Sequence, residues 1–270
     1  MMRSLWTAAS GMIAQQTNVD TISNNIANVN TTGYKSERAE FKSLLYQTLQ
    51  TKSTTANAEE KPIGAQVGLG ARVAAISTNN AQGILQASDS DTDFAIDGPG
   101  YFAIGYGADV MYTRAGSFEW AVGTDGSVLT TASGNPVLDS DGNRITVPAG
   151  VTADQMEISS DGTIGYRDTA GTYYSTGKKI GLYQFNNPNG LDKKGDSLYA
   201  VTAASGNARN EATDAALTKS KLYQNYLEGS NVNVANEMVS LIIAQRAYEL
   251  NSKAITASDE MLQQANNLRR

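Results

Sequence analysis

Both ends of this chain carry the same seven-residue apolar repeat. Leu5, Met12, Val19 and Ile26 follow one another at intervals of seven, with Ala8, Ile22 and Val29 in the companion positions. Near the other end Val234, Leu241, Tyr248, Ile255 and Leu262 repeat the interval. An apolar residue every seven positions lines one narrow face of a helix and requires a partner helix to cover it. The long stretch between the two reads as β-structure. The pattern predicts an α+β chain whose N- and C-terminal helices form a coiled-coil-like helical domain around a central all-β domain. Leu5, Met12, Val19, Ile22, Ile26, Val29, Val234, Leu241, Tyr248, Ile255 and Leu262 are the candidate assembly residues of a subunit made to be joined to others.

The segments follow from local signals. Residues 1–35 form the N-terminal helical segment, with a helix over 4–29 that starts at Ser4 as N-cap and stops where Gly33 supplies a left-handed residue. Gly11 inside it costs about 1 kcal/mol against Ala. Asn18, Asn24, Asn25, Asn28 and Asn30 make its end rich in amides. They read either as a solvated face or as contacts that fix register between subunits. Residues 36–89 read as an extended or β connecting segment. Within it Phe41, Leu44, Leu45 and Leu49 have the spacing of a short helix over 36–50, and 51–61 is polar and flexible or extended. Residues 90–204 form the central β-domain. Asp-Gly recurs at 97–98, 125–126, 141–142 and 161–162, and Asn-Gly stands at 189–190. Both dipeptides favour positive φ and so predict tight hairpins. Residues 181–185 and 197–201 read as half-buried strands. A return connection over 205–229 leads to the C-terminal helical segment, 230–270, which packs with 1–35. Asn233 caps its helix, and Ala244, Ala247 and Ala254 let a neighbouring helix approach closely.

Composition removes several classes of chemistry. The chain has no cysteine and no histidine, so it lacks disulfides, thiolate ligands, the commonest general base and the commonest metal ligand. Its net charge of −6, with basic doublets only at 178–179, 193–194 and 269–270, disfavours nucleic acid. No apolar run approaches a membrane span, and residues 1–16 make a poor secretory signal, so export would need a route without a cleaved leader. Asp89, Asp91 and Asp93 open like a calcium loop, but Phe94 and Gly100 stand where that loop needs glycine and an acid. Gly68-Leu69-Gly70 and Gly98-Pro99-Gly100 lack the context of phosphate loops. A wall-degrading glycosidase would need no histidine. Its candidate carboxylates, among them Asp139, Asp141, Glu157 and Asp161, sit in turn sequences. No catalytic residue, cofactor or metal site is expected.

Four motifs carry a family resemblance. Ser23-Asn24-Asn25-Ile26-Ala27-Asn28-Val29-Asn30-Thr31-Thr32-Gly33-Tyr34-Lys35 resembles the N-terminal signature of the bacterial flagellar hook and rod proteins, the axial proteins of the basal body. Asp93-Phe94-Ala95-Ile96-Asp97-Gly98-Pro99-Gly100-Tyr101-Phe102 resembles the start of their β-domain, and Tyr112-Thr113-Arg114-Ala115-Gly116-Ser117-Phe118 the hairpin that follows. Leu227-Glu228-Gly229-Ser230-Asn231-Val232-Asn233-Val234, with Gln245-Arg246-Ala247-Tyr248-Glu249, resembles the approach to their C-terminal helix and the helix itself. Phe41-Lys42-Ser43-Leu44-Leu45-Tyr46-Gln47-Thr48 and the polar stretch over 51–66 are similar to the distal-rod branch of the family. The chain departs from the pattern in a longer turn after Phe118, with Ala121 in place of an acid. Asn225 stands where glycine is common, and Asn is the residue type after glycine that best accepts positive φ.

The resemblance implies a structural subunit, not an enzyme, that polymerises through its terminal helices into a hollow tube, carries torque from motor to hook and passes exported subunits. The partners it implies are copies of itself in a helical polymer, neighbouring rod and hook proteins, surrounding ring proteins where the envelope has an outer membrane, and the flagellar export apparatus. Neither nucleic acid nor membrane insertion is among them. The implied location is the basal body outside the cytoplasm, in the periplasm or cell-wall region. A hook or proximal-rod subunit is the alternative within the family; a glycosidase or a surface adhesin with helical anchors is the alternative outside it. One helix pair offers few seam side chains to offset the ordering of both ends, so the termini are expected to become fully helical only on heterologous, open-ended assembly. An ordinary intramolecular helix hairpin is the competing expectation.

Overall fold

The computed structural model describes residues 2–50, 64–123, 126–147, 151–152, 155–168 and 172–268. They form an α+β chain of two compact units. The first unit combines Met1–Ala27, Glu37–Asn79 and Asn233–Arg270; the second combines Asn28–Ser36 and Asn80–Val232.

In the first unit, helix α1 spans Met2–Ala27 and helix α2 spans Val234–Asn267. No proline interrupts either, and Asn233 caps α2 by accepting a hydrogen bond from the Asn236 N–H. Ser4 lies inside α1 instead of capping it, and its Oγ stands 3.3 Å from the Ser258 Oγ of α2. Gly11 has a packing reason. A Cβ there would lie 2.9 Å from the Asn251 amide, so the missing side chain lets α2 come close. Residues 4 and 11 facing 258 and 251 makes the pair antiparallel.

Residues 36–50, whose spacing suggested a short helix, are strands. Glu37–Ser43 pairs antiparallel with Ala71–Thr78, and Tyr46–Gln50 pairs with Ala65–Gly68. The partner segment, with Val73, Ile76 and Thr78, offers a full hydrogen-bonding edge, and that pairing overrides a spacing drawn from four residues. The polar segment 51–61 lies outside the described residues. Helix α1 rests on this β-arm. The buried Asn25 side chain donates to the Glu37 carbonyl and accepts from the Glu37 N–H, both at 2.8 Å. Of the amide-rich run, at least Asn25 therefore fixes register inside the chain.

The second unit is built on a six-stranded antiparallel sheet. Its order is Asp192–Lys193, Leu198–Ala200, Asp109–Thr113, Tyr101–Tyr106, Leu182–Gln184, Arg209–Asn210. Alternation along Tyr101–Tyr106 separates two cores. Phe102 and Ile104 join Phe94, Phe118, Leu129 and Val137 in the larger one, while Tyr101 and Ala103 join Tyr112, Phe185 and Tyr199 in the other. Strands expected at 181–185 and 197–201 are Leu182–Gln184 and Leu198–Ala200. The Asp161-Gly162 turn joins Met156–Ile158 to Thr163–Arg167 as a hairpin. Asn189-Gly190 instead lies in a 3₁₀ turn, Pro188–Gly190, because Pro188 opens a helical turn. Residues Lys221–Gln224 and Tyr226–Glu228 return along Phe94–Asp97 and Leu85–Ala87, and Asn225 between them has φ 62°.

Candidate functional site

The helix pair places the seven-residue stripes as follows. On α1, Ile22 is buried and Leu5, Met12, Val19 and Ile26 are half-buried. On α2, Leu241, Ile255 and Leu262 are half-buried, whereas Val234 and Tyr248 are exposed. The small residues Ala8, Ala14, Ala244 and Ser258 are buried between them or against the β-arm. Val19 and Tyr248 border an open groove of about 400 Å³ with Gln16, Gln245 and Glu249. Val29 lies beyond the end of α1, half-buried in the second unit.

A second set of apolar residues was not read from the stripes. Trp6 and Ile13 on α1 are 74% and 67% exposed, and Ile243 and Leu250 on α2 are 64% and 66% exposed. Val239, Ile242 and Met261 add to the uncovered surface of α2. Ile243 and Leu250 each follow a stripe residue by two positions, which is about 200° around an α-helix. Each pair keeps the interval of seven. Thus α2 is apolar on two opposite faces, one turned to α1 and one left to water. The signal was present in the sequence, but a count along one stripe does not register its opposite. The β-arm is similar: Leu45, Tyr46 and Leu49 are exposed on a two-stranded ribbon.

In the second unit, three charged side chains that sequence reading did not single out converge in the interior. Gly33, at φ 66°, turns the chain so closely past residue 115 that a Cβ would lie 2.6 Å from the Ala115 nitrogen. Its N–H donates to the Glu228 carbonyl at 2.8 Å, and the Ser36 N–H donates to the Asn231 Oδ1 at 2.7 Å. The segment after α1 and the segment before α2 therefore run side by side. Lys35, Arg114 and Glu228 are each at most 3% exposed. Lys35 Nζ reaches Glu228 Oε1 at 2.5 Å and the Ala81 carbonyl at 2.9 Å. Gly83 N–H donates to the same Oε1 at 2.9 Å. Glu228 Oε2 faces Arg114 Nε at 3.2 Å as an ion pair without hydrogen-bond alignment. Arg114 Nη1 donates to the carbonyls of Gly98, at 2.7 Å, and Gly100, and its guanidinium lies 5.5 Å from the Tyr101 ring centre.

Burial pushes the Lys35 ammonium below the usual lysine range, against the pull of Glu228 and together with the repulsion of Arg114. Burial pushes the Tyr101 phenol up. All four sequence motifs thus meet at one point: Lys35 from the first, Gly98, Gly100 and Tyr101 from the second, Arg114 from the third and Glu228 from the fourth. The signal that could have found this site was a Lys, an Arg and a Glu standing in separate motifs, with no other role for any of them.

Of the carboxylates considered for glycoside chemistry, those of Asp139, Glu157 and Asp161 are held in structural bonds, although the buried Asp139 Oδ2 has no hydrogen-bond partner. Asp139 Oδ1 accepts from the N–H groups of Asp141 and Asn143, Glu157 is bridged by Arg167 at 2.7 Å, and Asp161 bonds Thr163 and Lys179. The hydrogen bond from Lys179 holds the Asp161 carboxyl below the usual range, opposite to what a general acid requires. Asp91 and Asp93 bond Asn225 and Ser88. Among the described residues no group of three or more acids could hold a metal ion, and no helix is long and apolar enough to cross a membrane.

Comparison with known proteins places these features. Residues 5–35 match the family described as flagella basal body rod protein. Residues 95–166 match the D1 domain of flagellar hook protein FlgE/F/G, and residues 223–268 the C-terminal region of flagellar basal body rod FlgEFG protein. The chain is 44% identical to the flagellar basal-body rod protein FlgG of Borreliella burgdorferi over 273 residues, covering all of both chains. It is 41% identical to that of Caulobacter vibrioides over 271 residues, covering 99% of this chain and all of the relative. It is 32% identical to the flagellar hook-basal body complex protein FlhP of Bacillus subtilis over 277 residues, covering all of both.

Proposed function

The chain belongs to the flagellar basal-body rod family of the distal rod protein FlgG, and from that membership we propose that its helix pair is the polymerising element of a torque-bearing tube. The protein is a structural subunit of the basal-body rod, and its family implies self-assembly beside other rod and hook proteins. The observation that carries the reading is the two-faced helix α2. One apolar face is partly covered by α1 of the same chain, with Leu241, Ile255 and Leu262 half-buried, and the opposite face, with Ile243 and Leu250, is left exposed. An uncovered helical face of this kind is met by a helix of a neighbouring copy in a contact that does not close on itself, so that subunits add without limit. The stripe residues of both helices then hold each subunit's pair together, and the outer residues join subunits.

In this account the subunits enclose a channel through which later subunits pass. Torque is carried by helices packed along the axis, and the protein works outside the cytoplasm. Ring proteins and the export apparatus are further partners. The role needs no catalysis and no cofactor. Purified protein raised in concentration and imaged by electron cryomicroscopy tests this. Hollow filaments with helical density lining the channel support it; closed dimers or solid fibres held by the β-unit alone overturn it.

A further inference from the structure

We propose that the Lys35–Glu228–Arg114 cluster is a latch that opens and closes as one cooperative element, independently of the β-core around it. It fixes whether the chain leaving α1 and the chain entering α2 are held side by side. This goes beyond self-assembly, because it concerns the second unit alone and would hold for a chain that never polymerised. Three features carry it. Lys35 and Glu228 each lie within eight residues of a helix end in the sequence, α1 closing at Ala27 and α2 opening at Val234. Their meeting therefore ties the two connecting segments rather than two parts of the sheet. Every contact of the Glu228 carboxylate is to a group from another segment: Lys35, Gly83 and Arg114. The carboxylate is thus the only counter-charge in reach of two buried cations among the described residues. Finally, the backbone bonds from Gly33 to Glu228 and from Asn231 to Tyr34, with the bond from the Ser36 N–H to the Asn231 side chain, join the two closing segments directly beside the cluster, while the core strands are bonded to one another along their length.

The asymmetry makes this a latch and not a uniform brace. With Glu228 in place, both cations are paired. Without it, two unpaired ammonium and guanidinium groups stay buried, which is a far worse state than an apolar replacement of the whole set. Glu228 also arrives late in the chain, so Lys35 and Arg114 stay uncompensated until almost all of it is present. The two connecting segments can be fixed together only at that point.

The experiment is peptide-resolved amide hydrogen exchange on the full-length protein below its assembly concentration. Wild type is compared with Glu228→Gln and with the double variant Lys35→Met/Glu228→Gln. Glu228→Gln should raise exchange in 28–36, 80–83 and 228–232 together by about a hundredfold or more, while 101–106 and 109–113 keep their protection. The double variant removes one stranded cation and should recover a large part of the lost protection. Exchange unchanged in those three segments would overturn the proposal. So would loss of protection spread equally over the core strands, since the cluster would then be an ordinary core ion pair. If Glu228→Gln does not fold, Glu228→Asp, which keeps the charge but shortens its reach, is read in the same way. Tube formation is not part of the readout, so this test and that of the assembly reading fail separately.

Discussion

Replacing Ile243 and Leu250 together by Ser should cripple assembly and leave the monomer intact. Each side chain is about two-thirds exposed in the single chain. Full burial of such a side chain contributes roughly 1.5–3 kcal/mol, so covering the exposed part contributes about 1–2 kcal/mol each. Seven residues apart on a helix, the two sites are about 10.5 Å from each other and should be nearly additive. The pair then contributes about 2–4 kcal/mol per subunit added, and each 1.4 kcal/mol is a factor of ten in an equilibrium constant. The concentration needed for polymerisation should rise by about 30- to 1,000-fold, measured by sedimentation of polymer from a dilution series. Far-ultraviolet circular dichroism and the melting temperature should stay near wild type, because both positions face water and Ser costs a helix only a few tenths of a kcal/mol. Polymer forming at the wild-type concentration would refute the reasoning. A loss of helix signal in step with the loss of polymer would refute it equally, by showing that the outer face holds the helix pair itself.

Three further outcomes follow from the same structure. Ile26→Asp or Leu241→Asp, both at half-buried stripe positions, should abolish incorporation into basal bodies while the β-unit keeps its own melting transition; normal incorporation of either would contradict the proposed role of the stripes. Phe102→Ala, at a fully buried core position, should lower stability by about 3–5 kcal/mol, read by urea unfolding. Burial pushes the Tyr112 phenol up from 10.0 to about 12, so between those values the folded chain holds a proton that the unfolded chain has lost. Its contribution, about 2–3 kcal/mol, is fully present below pH 10 and disappears as pH rises through 12. Tyr112→Phe should flatten the fall of unfolding free energy over that range.

The helices were legible because a seven-residue repeat is long, regular and free of proline, and the cap at Asn233 follows from side-chain chemistry alone. The hairpin at Asp161-Gly162 and the left-handed Asn225 were legible because a two-residue signal fixes the local backbone. The 36–50 segment was not. Phe41, Leu44, Leu45 and Leu49 have a helical spacing, but the strands over 71–78 and 65–68 that pair with 37–43 and 46–50 lie further along the chain, and local spacing carries no information about them. The same reason hid the buried cluster. Lys35, Arg114 and Glu228 are separated by 79 and 114 residues, and a charged residue read singly is assigned to the surface. The role of Gly11 was missed because its crowding comes from Asn251 on the other helix.

The absence of cysteine gives the most direct test of the central claim, that the outer face of the helix pair joins subunits. Single cysteines placed at 6, 13, 243, 250 and 261, with one at 122 on the exposed end of the β-unit as control, can be labelled with a thiol reagent in the dilute monomer and in isolated rods. The account predicts rapid labelling of all six in the monomer and strong protection of the five helical positions in the rods, with position 122 least protected. Equal labelling of the helical positions in monomer and rods would contradict it.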